Sequence, residues 1–122
     1  MKCMTAISLC LTVWLGGAAS GTETVETWPG GAAKARYTLD KDGKKQGAYQ
    51  EYFESGKPKI RASYRDDKLH GAYTETTEDG KTVVKAEYKD GALHGERMLK
   101  SPDGKTTLAE EVWYEGVLTH PR

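Results

Sequence analysis

Cysteine is missing from almost the whole chain, because Cys3 and Cys10 both lie within the first ten residues. The first twenty residues have the order of a secretory signal peptide, with Lys2 as a positive start, an uncharged run, and small residues up to Ser20. We expect cleavage near Ser20 and a periplasmic or secreted protein. The mature chain then has no thiol, which excludes disulfides, cysteine-bound metals and a cysteine nucleophile.

Long apolar runs are also missing. A membrane span needs about 20 apolar residues, and the uncharged run from Met4 to Ala19 is shorter than that. We therefore expect a signal-peptide helix over residues 1–20 and a mature form that does not span the membrane. A retained anchor and a lipid-modified Cys10 are the alternatives. Residues 21–27 show no period and are predicted to be a flexible leader.

The chain also lacks an excess of either charge. The chain has 18 basic and 18 acidic side chains, so no net field attracts nucleic acid. Helical spacing of apolar residues is missing after Ser20 as well, and glycine recurs too often for long helices. A partner must then be recognised by shape and local contacts, and we expect another protein or an envelope component.

An internal repeat is the clearest positive feature. Residues 47–70, "GAYQEYFESGKPKIRASYRDDKLH", and residues 71–94, "GAYTETTEDGKTVVKAEYKDGALH", abut and share tyrosines, turn glycines and a closing histidine. A third, less similar copy follows over residues 95–120. Residues 27–46 resemble the second half of a unit without its first half. Together these units form a repeat domain over residues 28–120, in units of about 24 residues.

Each unit has the pattern of a β-hairpin. Ile60, Ala62 and Tyr64 alternate with polar residues, as a strand with one apolar face requires. The segments "SGK" and "DGK" predict hairpin tips at Gly56, Gly80 and Gly104. Asp66-Asp67, Asp90-Gly91 and Glu115-Gly116 stand where return turns are expected. The predicted fold is all-β, an elongated, twisted meander sheet of antiparallel hairpins.

These motifs resemble a known family. The tyrosine, the Asp-Gly-Lys turn, the Tyr-x-Asp-Gly and the His-Gly of "YTETTEDGKTVVKAEYKDGALHG" are similar to those of bacterial MORN-repeat variants, including YwqK-like antitoxins. The resemblance covers about residues 28–118. It implies a sheet of hairpins that serves in interaction and, as an alternative function, neutralisation of a toxin.

The histidines invite a metal site, but their spacing argues against one. His70 and His94 are one unit apart, which in a continuous sheet means two strands, or about 9.5 Å. Two ligands of one zinc ion lie much closer together. We predict instead that His70-Gly71 and His94-Gly95 join successive units. No serine stands in a nucleophile elbow and no phosphate loop exists, so we expect no enzyme activity and no cofactor.

Aromatic residues are the best candidates for a binding surface, either as stripes that pack across strands or as a docking surface. The C-terminal "VWYEGVL" is the most apolar segment and predicts either a cap of the array or a site for strand addition. We expect an exported, non-enzymatic binding scaffold of a bacterial envelope. The candidate residues are Tyr37, Tyr49, Phe53, Tyr64, Tyr73, Tyr88, Trp113 and Tyr114.

Overall fold

The computed structural model describes residues 9–10 and 21–121, and these form one open antiparallel sheet of twelve strands. The predicted all-β meander is confirmed. Its strands are β1 Leu9–Cys10, β2 Thr22–Thr27, β3 Ala33–Leu39, β4 Lys45–Tyr52, β5 Pro58–Arg65, β6 Lys68–Leu69, β7 Gly71–Thr76, β8 Thr82–Lys89, β9 Ala92–Leu93, β10 Gly95–Lys100, β11 Thr107–Tyr114 and β12 Val117–Pro121.

Strand order follows the sequence. The sheet runs β1-β2-β3-β4-β5-β7-β8-β10-β11-β12, while the two-residue strands β6 and β9 pair with β5 and β8. The signal-peptide helix predicted for residues 1–20 falls mainly outside the described residues. The two residues described there, Leu9 and Cys10, form β1 against β2. Within the described part of the chain, no helix has the length and apolar character to cross a bilayer.

The segment predicted to be a flexible leader is a strand, which corrects that expectation. Thr22–Thr27 form β2 and pair with β3 from Thr22 opposite Leu39 to Thr27 opposite Ala33. The β-branched Thr24 and Val25 favour extended backbone, and β3 offers a hydrogen-bonding edge. The first unit is therefore a complete hairpin, because β2 is the front strand that the repeat comparison did not find.

Two backbone hydrogen bonds close each hairpin tip. In one tip the Thr77 amide donates to the Lys81 carbonyl, and the Gly80 amide donates to the Thr77 carbonyl. Gly80 has φ +83°, whereas Asp79 is not left-handed. The turn is therefore longer than two residues and needs one left-handed residue, as in hairpins that end in a glycine bulge. Equivalent bonds close the tips that begin at Trp28 and Phe53, while the Ser101 tip is one residue longer, because the Ser101 amide donates to the Thr106 carbonyl.

Three of the four return turns are tight. The first, between β3 and β4, closes like a hairpin tip, with the Asp40 amide donating to the Lys44 carbonyl and the Gly43 amide to the Asp40 carbonyl. Asp90 and Gly91 have φ values of 49° and 85°, and Glu115 and Gly116 have 47° and 82°. Two successive left-handed residues are the mark of the mirror-image turn that fits the twist of two-residue hairpins. Asp66 and Asp67 adopt the same conformation without a glycine, at φ 49° and 68°.

A bulge follows each return turn. Leu69 lies opposite Tyr64 and Thr74 opposite Arg61, so five steps along one strand match three on its partner. Gly71, with φ +102°, absorbs the extra length, as a side chain in that conformation would be strained. Gly47 and Gly95 have the same role in the neighbouring units, with φ +81° and +112°.

The sheet has almost no enclosed core. Among the described residues only Ala35 and Ala86 are buried apolar side chains, at 2% and 5% exposure. Most other apolar and aromatic side chains of the strands are half-buried. Stability must therefore come from cross-strand pairs on the surface of a single layer.

Candidate functional site

The registers assign most of the predicted aromatic residues to one face of the sheet. Tyr37 lies directly opposite Tyr49, which lies opposite Ala62. Since side chains alternate between faces along each strand, the same side carries the equivalent residues of the other units. We define the aromatic face by its six rings, Tyr37, Tyr49, Tyr64, Tyr73, Tyr88 and Trp113.

The tyrosine rings pack against one another in two groups. The rings of Tyr37 and Tyr49 are stacked with centroids 5.9 Å apart, and Tyr49 lies 5.3 Å from Tyr64 in a tilted arrangement. Tyr73 and Tyr88 meet edge to face at 5.7 Å. These are favourable aromatic geometries, so part of the aromatic face serves the packing that the sequence predicted.

In the first three hairpins, a glutamate on the first strand accepts a hydrogen bond from a tyrosine hydroxyl. The hydroxyls of Tyr37, Tyr49 and Tyr73 donate to Glu26, Glu51 and Glu75, at 2.8, 3.2 and 2.6 Å. The three carboxylates belong to one continuous row across the strands, in which apolar residues separate them. The row reads Glu26, Ala35, Glu51, Ile60, Glu75, Val84, Leu99 and Ala109.

The pKa values of Tyr37, Tyr49 and Tyr73 are raised above the ordinary value of a phenol. Burial, with the hydrogen bond and negative charge of Glu26, raises the pKa of Tyr37 to about 12. Burial first, and then the adjacent Glu51 or Glu75, also raises the pKa of Tyr49 and Tyr73. Each phenol therefore acts as a hydrogen-bond donor near neutral pH, which suits the orientation of a carboxylate and not proton abstraction.

The last unit builds the same face with different groups. Arg97 replaces the tyrosine of the first strand, and its guanidinium donates to Glu111 at 2.6 Å. The indole of Trp113 donates to the same carboxylate at 2.9 Å. These two hydrogen bonds, that of Arg97 foremost, lower the pKa of Glu111. The last unit therefore also places a ring beside a carboxylate, but here both groups, Trp113 and Glu111, lie on the second strand of the hairpin.

An ammonium group lies among three of the rings. Lys45 Nζ is 5.0 Å from the ring centroid of Tyr37, 5.4 Å from that of Tyr49 and 5.3 Å from that of Tyr64. Lys45 occupies the position of Leu69 in the next unit, but Lys45 lies opposite Leu39, whereas Leu69 lies opposite Tyr64. Cation–π attraction replaces apolar packing there. Sequence reasoning missed this contact, although the alignment of "KQG" with "LHG" contained its signal.

Two predicted members are not among these six rings. Phe53 begins a hairpin tip, where Lys59 Nζ lies 5.8 Å from its ring centroid and 3.5 Å from Glu51, so Phe53 stands beside the carboxylates of the aromatic face. Tyr114 follows Trp113 directly and so points to the opposite side, where its ring lies 5.0 Å from that of His94. Adjacent strand residues face opposite ways, which the list of candidate aromatics did not take into account.

The C-terminal apolar segment forms the last turn and the edge of the sheet. Tyr114, Val117 and Leu118 are 59%, 65% and 41% exposed. β12 pairs with β11, from Tyr114 opposite Val117 to Glu111 opposite Pro121. The segment thus stands at the end of the array with its apolar side chains uncovered, and both a cap and strand addition are compatible with that position.

The predicted joint residues link neighbouring return turns. His70 Nδ1 accepts a hydrogen bond from the Asp90 amide at 3.3 Å, and His94 Nδ1 accepts one from the Glu115 amide at 3.3 Å. Gln46 Oε1 accepts from the Asp66 amide in the same way, at 3.1 Å. The two histidines thus contact different turns. No group of three or more potential metal ligands occurs among residues 9–10 and 21–121.

The opposite side of the sheet carries a regular row of basic residues that sequence reasoning did not single out. Arg36, Arg61 and Lys85 occupy alternate positions of one row, separated by Gln50 and Thr74. All three are exposed. We define the basic face by this row of three. Its signal was the basic residue at the same place in the first three units, whereas the last unit has Glu110 there.

Comparison with known proteins adds no relative to this description. No protein-family model matches the chain, and a search of curated proteins finds none with significant similarity to it.

Proposed function

We propose that the chain is a non-enzymatic binding scaffold, exported to a bacterial envelope, that recognises a protein or an envelope component through its aromatic face. The observation that carries this proposal is the regular placement of a half-buried ring beside a carboxylate on the successive hairpins. Rings supply apolar contact area, while bonded carboxylates supply oriented acceptors at little cost in conformational entropy.

The partner that suits this face is complementary to both groups. A surface with basic or hydroxyl groups beside apolar patches would pair with the carboxylates and cover the rings. In this proposal the MORN-like repeat places the same ring and carboxylate groups two strands, or about 9.5 Å, apart.

A pull-down from native envelope fractions tests the proposal. Wild-type protein is compared with Tyr73→Leu, on the aromatic face, and with Tyr52→Leu, a matched control. Tyr52 lies on the other side, where its hydroxyl donates to Gln50 at 2.5 Å. We expect wild type and Tyr52→Leu to capture the same component and Tyr73→Leu to lose it. Equal capture by all three, or capture of nothing, would overturn the proposal.

Toxin neutralisation is the alternative that the family resemblance implies. It uses the same kind of surface and differs in the identity of the partner. Co-expression with the product of a neighbouring toxin-like gene distinguishes the two. Growth that depends on this protein would support the alternative, and unaffected growth would remove it.

A further inference from the structure

The basic face carries one positive charge on each of the first three hairpins. One row of the sheet reads Arg36, Gln50, Arg61, Thr74, Lys85 from β3 to β8. Since the basic residues are two strands apart, their positions along the row recur about every 9.5 Å. The residues between them are neutral, so the row offers evenly spaced cationic groups.

Each of the three basic residues lines its own recess. Arg36 borders one of about 480 Å³ with Gln50 and Tyr52. Arg61 borders one of about 510 Å³, where Thr74, Thr76 and Thr82 contribute hydroxyls and Glu78 and Asp79 stand at the tip end. Lys85 borders one of about 300 Å³, together with Glu96 and Glu110. The recesses therefore follow the same repeat as the charges.

The surroundings favour an anion most at the centre of the row. Arg36 is 3.7 Å from Glu23. The recess of Lys85 holds three carboxylates, those of Glu96, Glu110 and Glu111, whereas the recess of Arg61 holds those of Glu78 and Asp79 together with the ammonium of Lys57. Arg61 makes no ion pair with any described residue. On strands β3 to β8, the charged side chains that alternate to this side are Glu87 and the basic Lys34, Arg36, Arg61, Arg65, Lys68, Lys85 and Lys89.

The interval distinguishes the classes of linear polyanion. Phosphates of a nucleic acid strand follow one another at about 3.4 Å along a duplex. Carboxylates on one side of an extended peptide recur at about 6.6 Å, every second residue. Both polymers therefore carry more charges per length than the row has basic residues, so part of their charge would have no partner. A glycan with one acidic group on every second sugar has a longer interval, and its hydroxyls match the threonines around Arg61.

We propose that the basic face binds a linear anionic glycan, laid across the strands, whose acidic groups on alternate sugars meet Arg36, Arg61 and Lys85. The guanidinium of Arg61 forms the central contact, because a planar fork binds a carboxylate with two parallel hydrogen bonds. The intervening sugars lie over Gln50 and Thr74. This surface is independent of the aromatic face and of the function proposed for it.

Calorimetric titration of the whole protein with defined oligomers tests the inference. The probes are hyaluronate, with a carboxylate on every second sugar, polygalacturonate, with one on every sugar, oligothymidylate and uncharged dextran. We expect hyaluronate to bind best, with affinity that falls as salt is raised, since exposed charges are screened. Dextran binding, oligothymidylate binding as tight as hyaluronate binding, or equal affinity for both acidic glycans would overturn the proposal.

Two variants and a control locate the contact. Arg61→Gln should lower hyaluronate affinity at least about tenfold, as expected for the loss of a charge-assisted hydrogen bond. Lys85→Gln should lower it less. Lys41→Gln removes the same charge from an exposed turn outside the row and should leave affinity unchanged. Equal losses in Arg61→Gln and Lys41→Gln, or no hyaluronate binding by wild type, would refute the proposal.

Discussion

The two faces of the sheet differ in what their side chains bind. On the aromatic face, rings of neighbouring strands lie 5.3 to 5.9 Å apart and three phenols are bonded to carboxylates. On the basic face, Arg36, Arg61 and Lys85 are exposed and separated by neutral residues. A single-layer sheet without an enclosed core can thus derive its side-chain stability from one face and leave the other free for contacts.

Truncation of a central ring is the strongest test of this difference. Tyr49→Ala removes the ring between Tyr37 and Tyr64 and the hydrogen bond to Glu51, and we expect a loss of about 2–3 kcal/mol of unfolding free energy. Tyr52→Ala, on the opposite side of the sheet, should cost about 1 kcal/mol. Urea denaturation measures both. Equal losses would contradict a fold that is stabilised mainly from its aromatic face.

The histidines that join neighbouring return turns belong to neither face. Their substitution should lower the unfolding free energy by an intermediate amount. His70→Ala removes the acceptor of the Asp90 amide and should cost about 0.5–1 kcal/mol. His70→Gln should be nearly neutral, because Gln46 makes the equivalent bond to the Asp66 amide. Urea denaturation again distinguishes them. If the glutamine variant is as unstable as the alanine variant, the acceptor is not what the joint requires.

Alkaline pH should weaken the aromatic face selectively. The pKa of Tyr37 is raised from 10.0 to about 12, so the unfolded chain loses this proton before the folded chain does. The contribution of Tyr37 to stability is therefore complete below pH 10 and is lost as pH rises from 10 to 12. Thermal melts over this range should decline less in Tyr37→Phe than in wild type. Parallel declines would show that this phenol is not the group responsible.

The smallest effect is expected on the basic face. Arg61→Gln should change unfolding free energy by less than about 0.5 kcal/mol, because Arg61 is exposed and forms no ion pair with the described residues. A clear destabilisation in urea would mean that the row supports the fold and is not available for a ligand.

Much of the fold could be predicted because the repeat restates its pattern in each unit. The period of two in "KIRASY" and its counterpart fixed the strands, and recurrent glycine fixed the turns. β2 was missed because "TETVET" is too polar to show alternation, and its extended form depends on pairing with β3. The residue pattern within a segment does not reveal a pairing strand that lies elsewhere in the chain.

The sequence predicted most residues of the candidate site but not how they are arranged on the sheet. Five of the tyrosines were found from the repeat, whereas Tyr114 was placed with Trp113 although adjacent strand residues face opposite sides. The contact of Lys45 with three rings depends on the bulge at Gly47, which changes the register between β3 and β4. The basic row required the pairing of five strands before its regular spacing could be recognised.

By itself, the sequence determined that this protein is an antiparallel array of hairpins, because alternation and turn glycines act over a few neighbouring residues. Only the tertiary structure decided which residues share a face, which carboxylate each phenol meets and which turns are tight. Those properties depend on register, and two-residue bulges after the return turns shift that register between successive units.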